Sequence, residues 1–295
     1  MITFSRLCRK YEALCEEKDI PAETVMAYLV ELSQRERYDL YACFDDEVPQ
    51  DLADEFIQGM DRILAGEPMG HVLGYSWFYG YKFIVNPDVL IPRYETEELC
   101  ANVLTNIDAC FPDYDTISCV DVGTGSGAIA ITLVKEEPKI RMTATDISEE
   151  ALTTARKNAE INDAPVEFIA GDMLKPLIDR GIKLDVLVCN PPYIPSEEVM
   201  EHSVVDFEPH VALFGGNDGL KFYRDVFRDC RSVMKERSFM AFEMGWDQKE
   251  RLTGLVREML PEAAYTFLQD INGKDRMLFV YFRLEPVEMK GTFYE

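Results

Sequence analysis

A short apolar run that ends in two prolines constrains the fold of this chain more than any other feature. Residues 184–189 read Leu-Asp-Val-Leu-Val-Cys, which is typical of a short strand buried on both faces. Pro191 and Pro192 follow, and neither can continue a strand, so the chain must leave the sheet there. Asn190 and Tyr193 are therefore predicted at the carboxyl end of a central strand, where open α/β sheets bind ligands.

The groups at this strand end suit a planar ligand that carries an NH2 group. Asn190 offers a carbonyl acceptor and an NH2 donor. The carbonyls of Pro191 and Pro192 are acceptors without a competing N–H group, and Tyr193 offers a flat face. A turn-forming Pro-Pro with a packed tyrosine is the structural alternative, and this stretch by itself does not separate the two.

Composition disfavours several classes of protein. The chain of 295 residues is long enough for one large domain or two smaller ones. It has no apolar run of about eighteen residues and no signal-peptide pattern, so we expect no membrane span. Eight scattered cysteines without a C-x-x-C pair indicate reduced thiols in a cytoplasmic protein, not a disulfide frame or zinc site. A net charge of -24 argues against a nucleic-acid-binding surface and suits a basic protein partner or simply solubility. For the oligomeric state, we expect a monomer.

Periodicity divides the chain into three predicted regions. Residues 1–65 carry apolar residues at helical spacing, which predicts a small helical bundle for packing or substrate docking. Residues 66–92 are rich in glycine and aromatic residues, which predicts a β-hairpin linker. Its strands are predicted at Val72–Phe78 and Lys82–Val85, joined at Tyr79-Gly80. Residues 93–295 alternate strand and helix patterns, which predicts an α/β domain.

A glycine-rich turn follows the first strand of the α/β region, predicted at Ile117–Val122. The turn reads Gly123-Thr124-Gly125-Ser126-Gly127, and its glycines would let a ligand approach the backbone and the next helix closely. Asp146 ends the following strand, 19 residues after Gly127, where a ribose-binding carboxylate belongs. The turn also satisfies the dinucleotide-binding fingerprint, so by itself it does not identify the cofactor.

Two further carboxylates favour a different cofactor. Asp121 stands two residues before the first glycine, placed to hold a cationic amino group directly or through water. Asp172 follows the third strand, Val166–Ala170, placed to meet an adenine amino group. A cofactor with both an amino acid moiety and an adenosine is S-adenosylmethionine. The residues predicted to bind it are Asp121, Gly123, Thr124, Gly125, Ser126, Gly127, Asp146, Asp172, Met173 and Asn190.

With these motifs in this order, the sequence resembles the HemK/PrmC-type protein-glutamine N5-methyltransferases, which modify peptide chain release factors. The resemblance runs from about Gly66 to Phe282. Its motifs are Gly66-Glu67-Pro68, Leu90-Ile91-Pro92-Arg93, Glu95-Thr96-Glu97, the glycine turn, Asn190-Pro191-Pro192-Tyr193, Glu208-Pro209, Gly216-x-Asp218-Gly219-Leu220 and Gly273-x-Asp275-Arg276. The family usually has proline where this chain has Tyr94, and many members carry an aromatic residue where this chain has Met173.

The resemblance implies the fold and the reaction. The fold is a seven-stranded, Rossmann-like class I S-adenosylmethionine-dependent methyltransferase sheet with a reversed last strand, preceded by the helical region and the hairpin. The implied reaction transfers a methyl group to the glutamine of the Gly-Gly-Gln loop of release factors. Asn190, Pro191 and Tyr193 are the predicted catalytic residues, Pro192 joins them in the substrate site, and no metal is required.

Three alternatives stay open at this point. Ribosomal-protein glutamine methyltransferases share the fourth-strand motif but resemble this chain less at Glu95-Thr96-Glu97. Adenine N6 methyltransferases also act on a planar NH2 group, but the acidic charge disfavours a nucleic-acid substrate. A non-catalytic protein on the same fold predicts damage to the glycine turn or to Asn190, and neither is damaged.

Overall fold

The computed structural model of the protein describes residues 2–196, 207–209 and 212–287. These residues form two compact units. One unit holds the described residues up to Tyr75, together with Phe207, and the other holds the described residues from Ser76 onward apart from Phe207. The division at Tyr75 lies inside the predicted linker, and the three-part division of the chain stays a prediction. No helix within the described ranges is long and apolar enough to cross a membrane.

The first unit is helical, as its apolar spacing predicts. Its helices α1 to α5 are Phe4–Glu16, Glu23–Ser33, Arg37–Ala42, Gln50–Leu64 and Met69–Leu73. The buried faces of α1, α2 and α4 meet around Phe56, whose ring packs edge-on against Tyr11 and tilted against Tyr28. Gly59 lets the Tyr28 ring approach α4 closely, since a Cβ at this position would lie 1.8 Å from the tyrosine oxygen.

The hairpin begins later in the chain than predicted. Its strands are β1, Tyr75–Phe78, and β2, Tyr81–Ile84. Tyr79 and Gly80 both have positive φ angles, which matches the tight turn expected between them. The first strand was predicted from Val72, but residues 69–73 form the short helix α5 and Gly74 ends it in the left-handed conformation. An extended strand can therefore begin only at Tyr75.

The second unit is built on a seven-stranded sheet in the order β5-β4-β3-β6-β7-β9-β8. Strands β3 to β9 are Ile117–Val122, Ile140–Asp146, Val166–Ala170, Leu184–Cys189, Met234–Glu243, Ala264–Gln269 and Asp275–Phe282. Strands β3 to β7 pair in parallel, whereas β9 runs antiparallel to both β7 and β8. The predicted sheet with a reversed last strand is confirmed.

Helices pack against both faces of this sheet. Helices α6 to α11 are Tyr94–Cys110, Ala128–Glu136, Glu149–Ile161, Lys175–Asp179, Lys221–Asp229 and Lys249–Met259. Val186 and Val188 of β6 belong to the core beneath α6 and α7, whereas Leu187 and Cys189 belong to the core beneath α10 and α11. The strand is thus buried on both faces, and its carboxyl end lies beside that of β3.

Helix α10 is shorter than the segment 217–235 that its pattern predicts. Gly216 and Gly219 have positive φ angles, so a right-handed helix can begin only after them. A single 3-10 turn, Cys230–Ser232, closes the helix, and β7 then begins at Met234 because Met234 pairs with Leu184. The sequence predicts β7 only at 238–243, since Lys235, Glu236 and Arg237 hide its apolar pattern.

Candidate active site

A cavity of about 320 Å³ opens at the carboxyl ends of β3, β4 and β6. Its lining includes eight of the residues predicted to bind a cofactor: Gly123, Thr124, Gly125, Ser126, Asp146, Asp172, Met173 and Asn190. Pro192 from the fourth-strand motif also lines it. Asp121, Gly127, Pro191 and Tyr193 do not line this cavity. The site therefore combines the glycine turn with the end of β6, and four predicted residues are not part of its lining.

The glycine turn takes a backbone course that other residues would strain. Gly123 and Gly125 have φ angles of +74° and +54°, in the left-handed region that glycine adopts without a steric penalty. Gly127 caps α7 with a φ of +84°, and a Cβ there would lie 3.0 Å from the end of the Ile131 side chain and 3.3 Å from Ala155. The turn can thus pass close to a ligand while α7 packs on α8.

Asp121 is fully buried beneath this turn. Its Oδ2 atom accepts hydrogen bonds from the Thr124 hydroxyl at 2.6 Å and from the backbone N–H of Ala130 at 3.3 Å. Its Oδ1 atom has no hydrogen-bond partner among the described residues. Burial raises the pKa of this carboxyl to about 7, against the lowering effect of its two hydrogen bonds. A positive charge nearby would favour its ionised form.

Asp146 presents a carboxylate that the backbone holds in place. Its Oδ2 atom accepts from the N–H of Gly125 at 2.8 Å, and its Oδ1 atom accepts from the N–H of Ser148 at 2.9 Å. Burial raises its pKa, while these backbone hydrogen bonds lower it. The side chain links the end of β4 to the glycine turn, and it lines the cavity with acceptor capacity left on both oxygens.

Asp172 and Met173 line the cavity together with the glycine turn and Asp146. These residues make up what is called the cofactor end, after the role predicted for them. Asp172 is exposed and Met173 is half-buried, and both line the cavity. Met173 has a φ of +46°, and its side chain packs against the core beneath α10 and α11. The Thr145 hydroxyl donates a long hydrogen bond of 3.5 Å to the Met173 carbonyl. The thioether thus supplies a soft apolar wall beside the carboxylate.

A chain of hydrogen bonds links Asn190, Thr96, Glu243 and Tyr193. This part of the site is called the acceptor end, after the role predicted for Asn190 toward a methyl acceptor. The amide nitrogen of Asn190 donates to the Thr96 hydroxyl at 3.2 Å, and that hydroxyl donates to Glu243 Oε2 at 2.6 Å. The Tyr193 hydroxyl donates to Glu243 Oε1 at 3.4 Å. Glu243 is fully buried, and burial raises its pKa while Thr96 and Arg276 lower it. Burial beside Glu243 also raises the pKa of Tyr193.

The backbone of the Asn-Pro-Pro-Tyr segment is fixed from two directions. The Gln248 side chain donates to the carbonyl of Tyr193 at 2.9 Å and receives the N–H of Gly245 on its oxygen at 3.0 Å. Gly219 packs on the same carbonyl, and a Cβ there would lie only 2.2 Å from it. Ile194 then pairs with Phe214 in a short parallel bridge. Gly219 therefore supports the backbone of the Asn-Pro-Pro-Tyr segment.

Two cations also line the cavity. Arg93 pairs with Glu208 at 2.5 Å, and Lys221 pairs with Asp225 at 2.9 Å. Glu208 is buried, which raises its pKa against the lowering effect of Arg93. Its Oε2 atom has no hydrogen-bond partner among the described residues. The cavity lining thus includes both carboxylates and ion-paired cationic side chains.

Sequence reasoning missed the support of the acceptor end. Thr96 is predicted only as part of the Glu95-Thr96-Glu97 motif, whereas its side chain reaches Glu243, which lies 147 residues away in the chain. Glu243 ends β7 and Gln248 precedes α11, and neither belongs to a motif found in the sequence. A carboxylate directly after the short apolar run at residues 239–242, as Glu243 is, was the available signal.

The first comparison with known proteins concerns sequence. The family model described as the methyltransferase small domain matches residues 103–207. A release factor glutamine methyltransferase of Staphylococcus aureus is 38% identical over 267 residues, which cover 90% of this chain and 94% of the relative. A protein of the same name from Bacillus subtilis is 43% identical over 82% of this chain and 85% of its own length. Another, from Moorella thermoacetica, is 37% identical over 92% of this chain and 93% of its own length.

The second comparison concerns solved structures. A methyltransferase of Pyrococcus furiosus superposes with a TM-score of 0.51 over 76% of this chain and 98% of its own, at 16% identity. The human methyltransferase 10 domain containing protein superposes with a TM-score of 0.53 over 70% of this chain and 90% of its own, also at 16% identity. These structures share the fold of most of this chain. The sequence relatives show its family: the chain belongs to the release factor glutamine methyltransferase family.

Proposed function

We propose that this chain transfers a methyl group from S-adenosylmethionine to the side-chain nitrogen of the glutamine in the Gly-Gly-Gln loop of a peptide chain release factor. The names of the relatives support the reaction and the substrate. One structural observation carries the proposal: Asn190 lines the same cavity as the glycine turn and Asp146. The residue proposed to orient the methyl acceptor and the carboxylate proposed to bind the cofactor thus line one cavity.

The residues of the cofactor end fit S-adenosylmethionine. The Oδ1 atom of Asp121 lacks a partner within the described chain, so a cationic amino group above the turn would stabilise its ionised form, directly or through water. Asp146 would accept hydrogen bonds from the ribose hydroxyls, and Asp172 would accept one from the adenine amino group. Met173 would pack on the adenine ring. Bound in this way, S-adenosylmethionine supplies an electrophilic methyl group on a sulfonium.

The acceptor end compensates for a weak nucleophile. The lone pair of an amide nitrogen is delocalised, so the nitrogen must be oriented and its developing charge stabilised. Asn190 and Pro191 would each accept a hydrogen bond from the glutamine NH2 group, and no described residue donates to the Pro191 carbonyl. Pro192 and Tyr193 would confine the amide plane. Orientation of two reactants can lower a barrier by roughly 7–11 kcal/mol.

The substrate loop must be narrow, because a glutamine side chain is short and Asn190 is set into the cavity wall. A small loop buries little area, so the intact release factor needs a second contact. The helical region, residues 1–65, and the hairpin are the surfaces we propose for it. We further propose that the protein is a monomer in the cytoplasm. It should not itself bind nucleic acid, since its net charge is -24.

Labelled S-adenosylmethionine tests this function. The enzyme is incubated with an intact release factor, with a ribosomal-protein fraction, and with DNA or RNA. We expect label on the release factor, located by mass spectrometry at the loop glutamine, and no label on a release factor with alanine at that position. Label on ribosomal protein or nucleic acid, with none on the release factor, would contradict the proposal.

A further inference from the structure

Residue Thr96 occupies the centre of the acceptor-end hydrogen bonds and links two side chains from distant parts of the chain. It lies in the first turn of α6, is buried, and lines the cavity. Its hydroxyl is 3.2 Å from the Asn190 amide nitrogen and 2.6 Å from Glu243 Oε2. The roles proposed for the glycine turn, Asp146 and Asp172 in cofactor binding do not explain the hydroxyl at this position.

Proton counting determines the direction of each hydrogen bond. A threonine hydroxyl has one proton to donate, and an ionised carboxylate can only accept. The short contact to Glu243 therefore uses the Thr96 proton, which leaves the Thr96 oxygen as an acceptor for Asn190. Only the NH2 side of the Asn190 amide can satisfy that acceptor. The opposite orientation would place two oxygens face to face without a proton between them.

Burial raises the pKa of Glu243, and several groups around the carboxylate offset part of that rise. Arg276 on β9 lowers its pKa by charge attraction, and the hydroxyls of Thr96 and Tyr193 lower it by hydrogen bonding. Burial and the charge of Glu95 raise it. The carboxylate thus has one hydroxyl donor for each oxygen and a guanidinium nearby. This arrangement satisfies a buried charge, which would otherwise be strongly unfavourable.

We infer that Thr96 and Glu243 are positioning residues that lock the Asn190 amide with its oxygen toward the substrate. With the nitrogen bound to Thr96, the oxygen is the remaining polar atom of that amide, and no described residue donates to it. An exposed carbonyl oxygen accepts from an NH2 group and repels a carboxylate oxygen. The lock therefore selects glutamine over glutamate in the substrate loop. This inference rests on the function proposed above.

The substitution Thr96→Val tests the lock, with Thr96→Ser as its matched control. Valine has nearly the shape of threonine but no hydroxyl, whereas serine keeps the hydroxyl. We expect Thr96→Val to lower kcat on an intact release factor by about tenfold or more, the cost of one buried orienting hydrogen bond. Thr96→Ser should recover most of the turnover. Calorimetry should give both variants the S-adenosylmethionine affinity of the wild type.

A specificity measurement separates orientation from general damage. The Kd is measured for an intact release factor and for one with glutamate in place of the loop glutamine. The wild type and Thr96→Ser should prefer glutamine, and Thr96→Val should lose much of that preference because its Asn190 amide can turn over. An unchanged preference and equal kcat values in the two variants would overturn the inference. A parallel loss of cofactor binding in Thr96→Val would also overturn it, by showing a merely structural role.

A double-mutant cycle gives an independent check through Glu243. The variant Glu243→Gln has one acceptor oxygen for two hydroxyl donors, so the lock is already weakened. Adding Thr96→Val should then cost less in kcat than it costs in the wild type. Fully additive losses would contradict a shared network. A wild-type enzyme that fails to methylate the release factor would instead refute the proposed function, which keeps the two failures distinct.

Discussion

The two ends of the cavity are built in different ways. At the cofactor end, Asp146 receives backbone N–H groups from Gly125 and Ser148, and Asp121 bonds to Thr124 and Ala130, all within 21 residues along the chain. At the acceptor end, side chains bond to side chains across long intervals: Asn190 to Thr96 across 94 residues, and Thr96 to Glu243 across 147. The first end depends on local backbone conformation, and the second depends on the tertiary fold.

This difference predicts how each end fails. A change in a local backbone motif should weaken cofactor binding in proportion to the hydrogen bonds it removes. A change at the acceptor end should leave cofactor binding intact and lower turnover, because its residues are proposed to contact the glutamine. The following predictions separate the two behaviours, beginning with the largest expected effect.

Asn190→Ala should lower kcat by about 100- to 1,000-fold, the range observed when one preorganised polar group is removed from a reaction centre. The S-adenosylmethionine affinity should change far less, because the side chain is proposed to face the methyl acceptor. Steady-state kinetics on the release factor and calorimetry with the cofactor measure the two quantities. Methylation at the wild-type rate would show that Asn190 does not orient the acceptor.

Asp146→Ala should weaken S-adenosylmethionine binding by roughly 1.5–3 kcal/mol for each charge-assisted hydrogen bond lost to the ribose. Asp146→Asn is the matched control, since it keeps one acceptor for the backbone N–H groups and removes the charge. It should give an intermediate affinity by calorimetry. If both variants bind the cofactor as the wild type does, the ribose lies elsewhere.

Removing the helical region should weaken only the binding of the protein substrate. A chain that starts near residue 66 should keep its cofactor affinity but show a KM for the intact release factor raised by about tenfold or more, because the second contact is lost. A short Gly-Gly-Gln peptide provides the control substrate, since it cannot use that contact and should show little difference. Equal efficiency of the two enzymes on the intact factor would leave the helical region without a docking role.

The raised pKa of Asp121 predicts a pH dependence of stability without ligand. Its folded-state value of about 7 lies above the ordinary 3.8, so between these values the folded protein binds a proton that the unfolded chain has lost. Stability from this group therefore decreases as pH rises, by about 1.4 kcal/mol between pH 6 and pH 8. Urea unfolding measures it, and Asp121→Asn should show a flatter profile. Identical profiles would mean that Asp121 ionises normally.

The same difference explains what the sequence could predict. Strands such as Ile117–Val122 and Leu184–Cys189 follow from apolar runs with breakers at their ends, and the structure has both with those bounds. The glycine turn and Asp146 are recognisable because their spacing along the chain is their geometry. Eight of ten predicted cofactor residues line the cavity, while their roles toward the cofactor stay predictions.

The missed features depend on contacts that no local pattern encodes. Thr96 and Glu243 meet because α6 packs across the end of β7, and neither position has a distinctive spacing to the other. The hydroxyl of Tyr193 bonds to Glu243 and its ring packs against the core beneath α10 and α11, a support that the sequence did not indicate, while its role toward the substrate stays a prediction. The late start of the hairpin depends on a single residue, Gly74, whose left-handed conformation ends α5.

The reversed strand β9 has a consequence for the chemistry of the sheet edge. A parallel strand would bring its carboxyl end beside Glu243, whereas β9 brings its amino end there, so Arg276 at the start of the strand adjoins Met244 and helps to balance the buried carboxylate. Asp270, in the loop before β9, pairs with that guanidinium at 3.3 Å. The charge balance around Glu243 thus depends in part on the β8–β9 loop, because Asp270 pairs with the same guanidinium. Sequence changes in that loop should alter the electrostatic surroundings of Glu243 at the acceptor end, and they should leave the cofactor end unaltered.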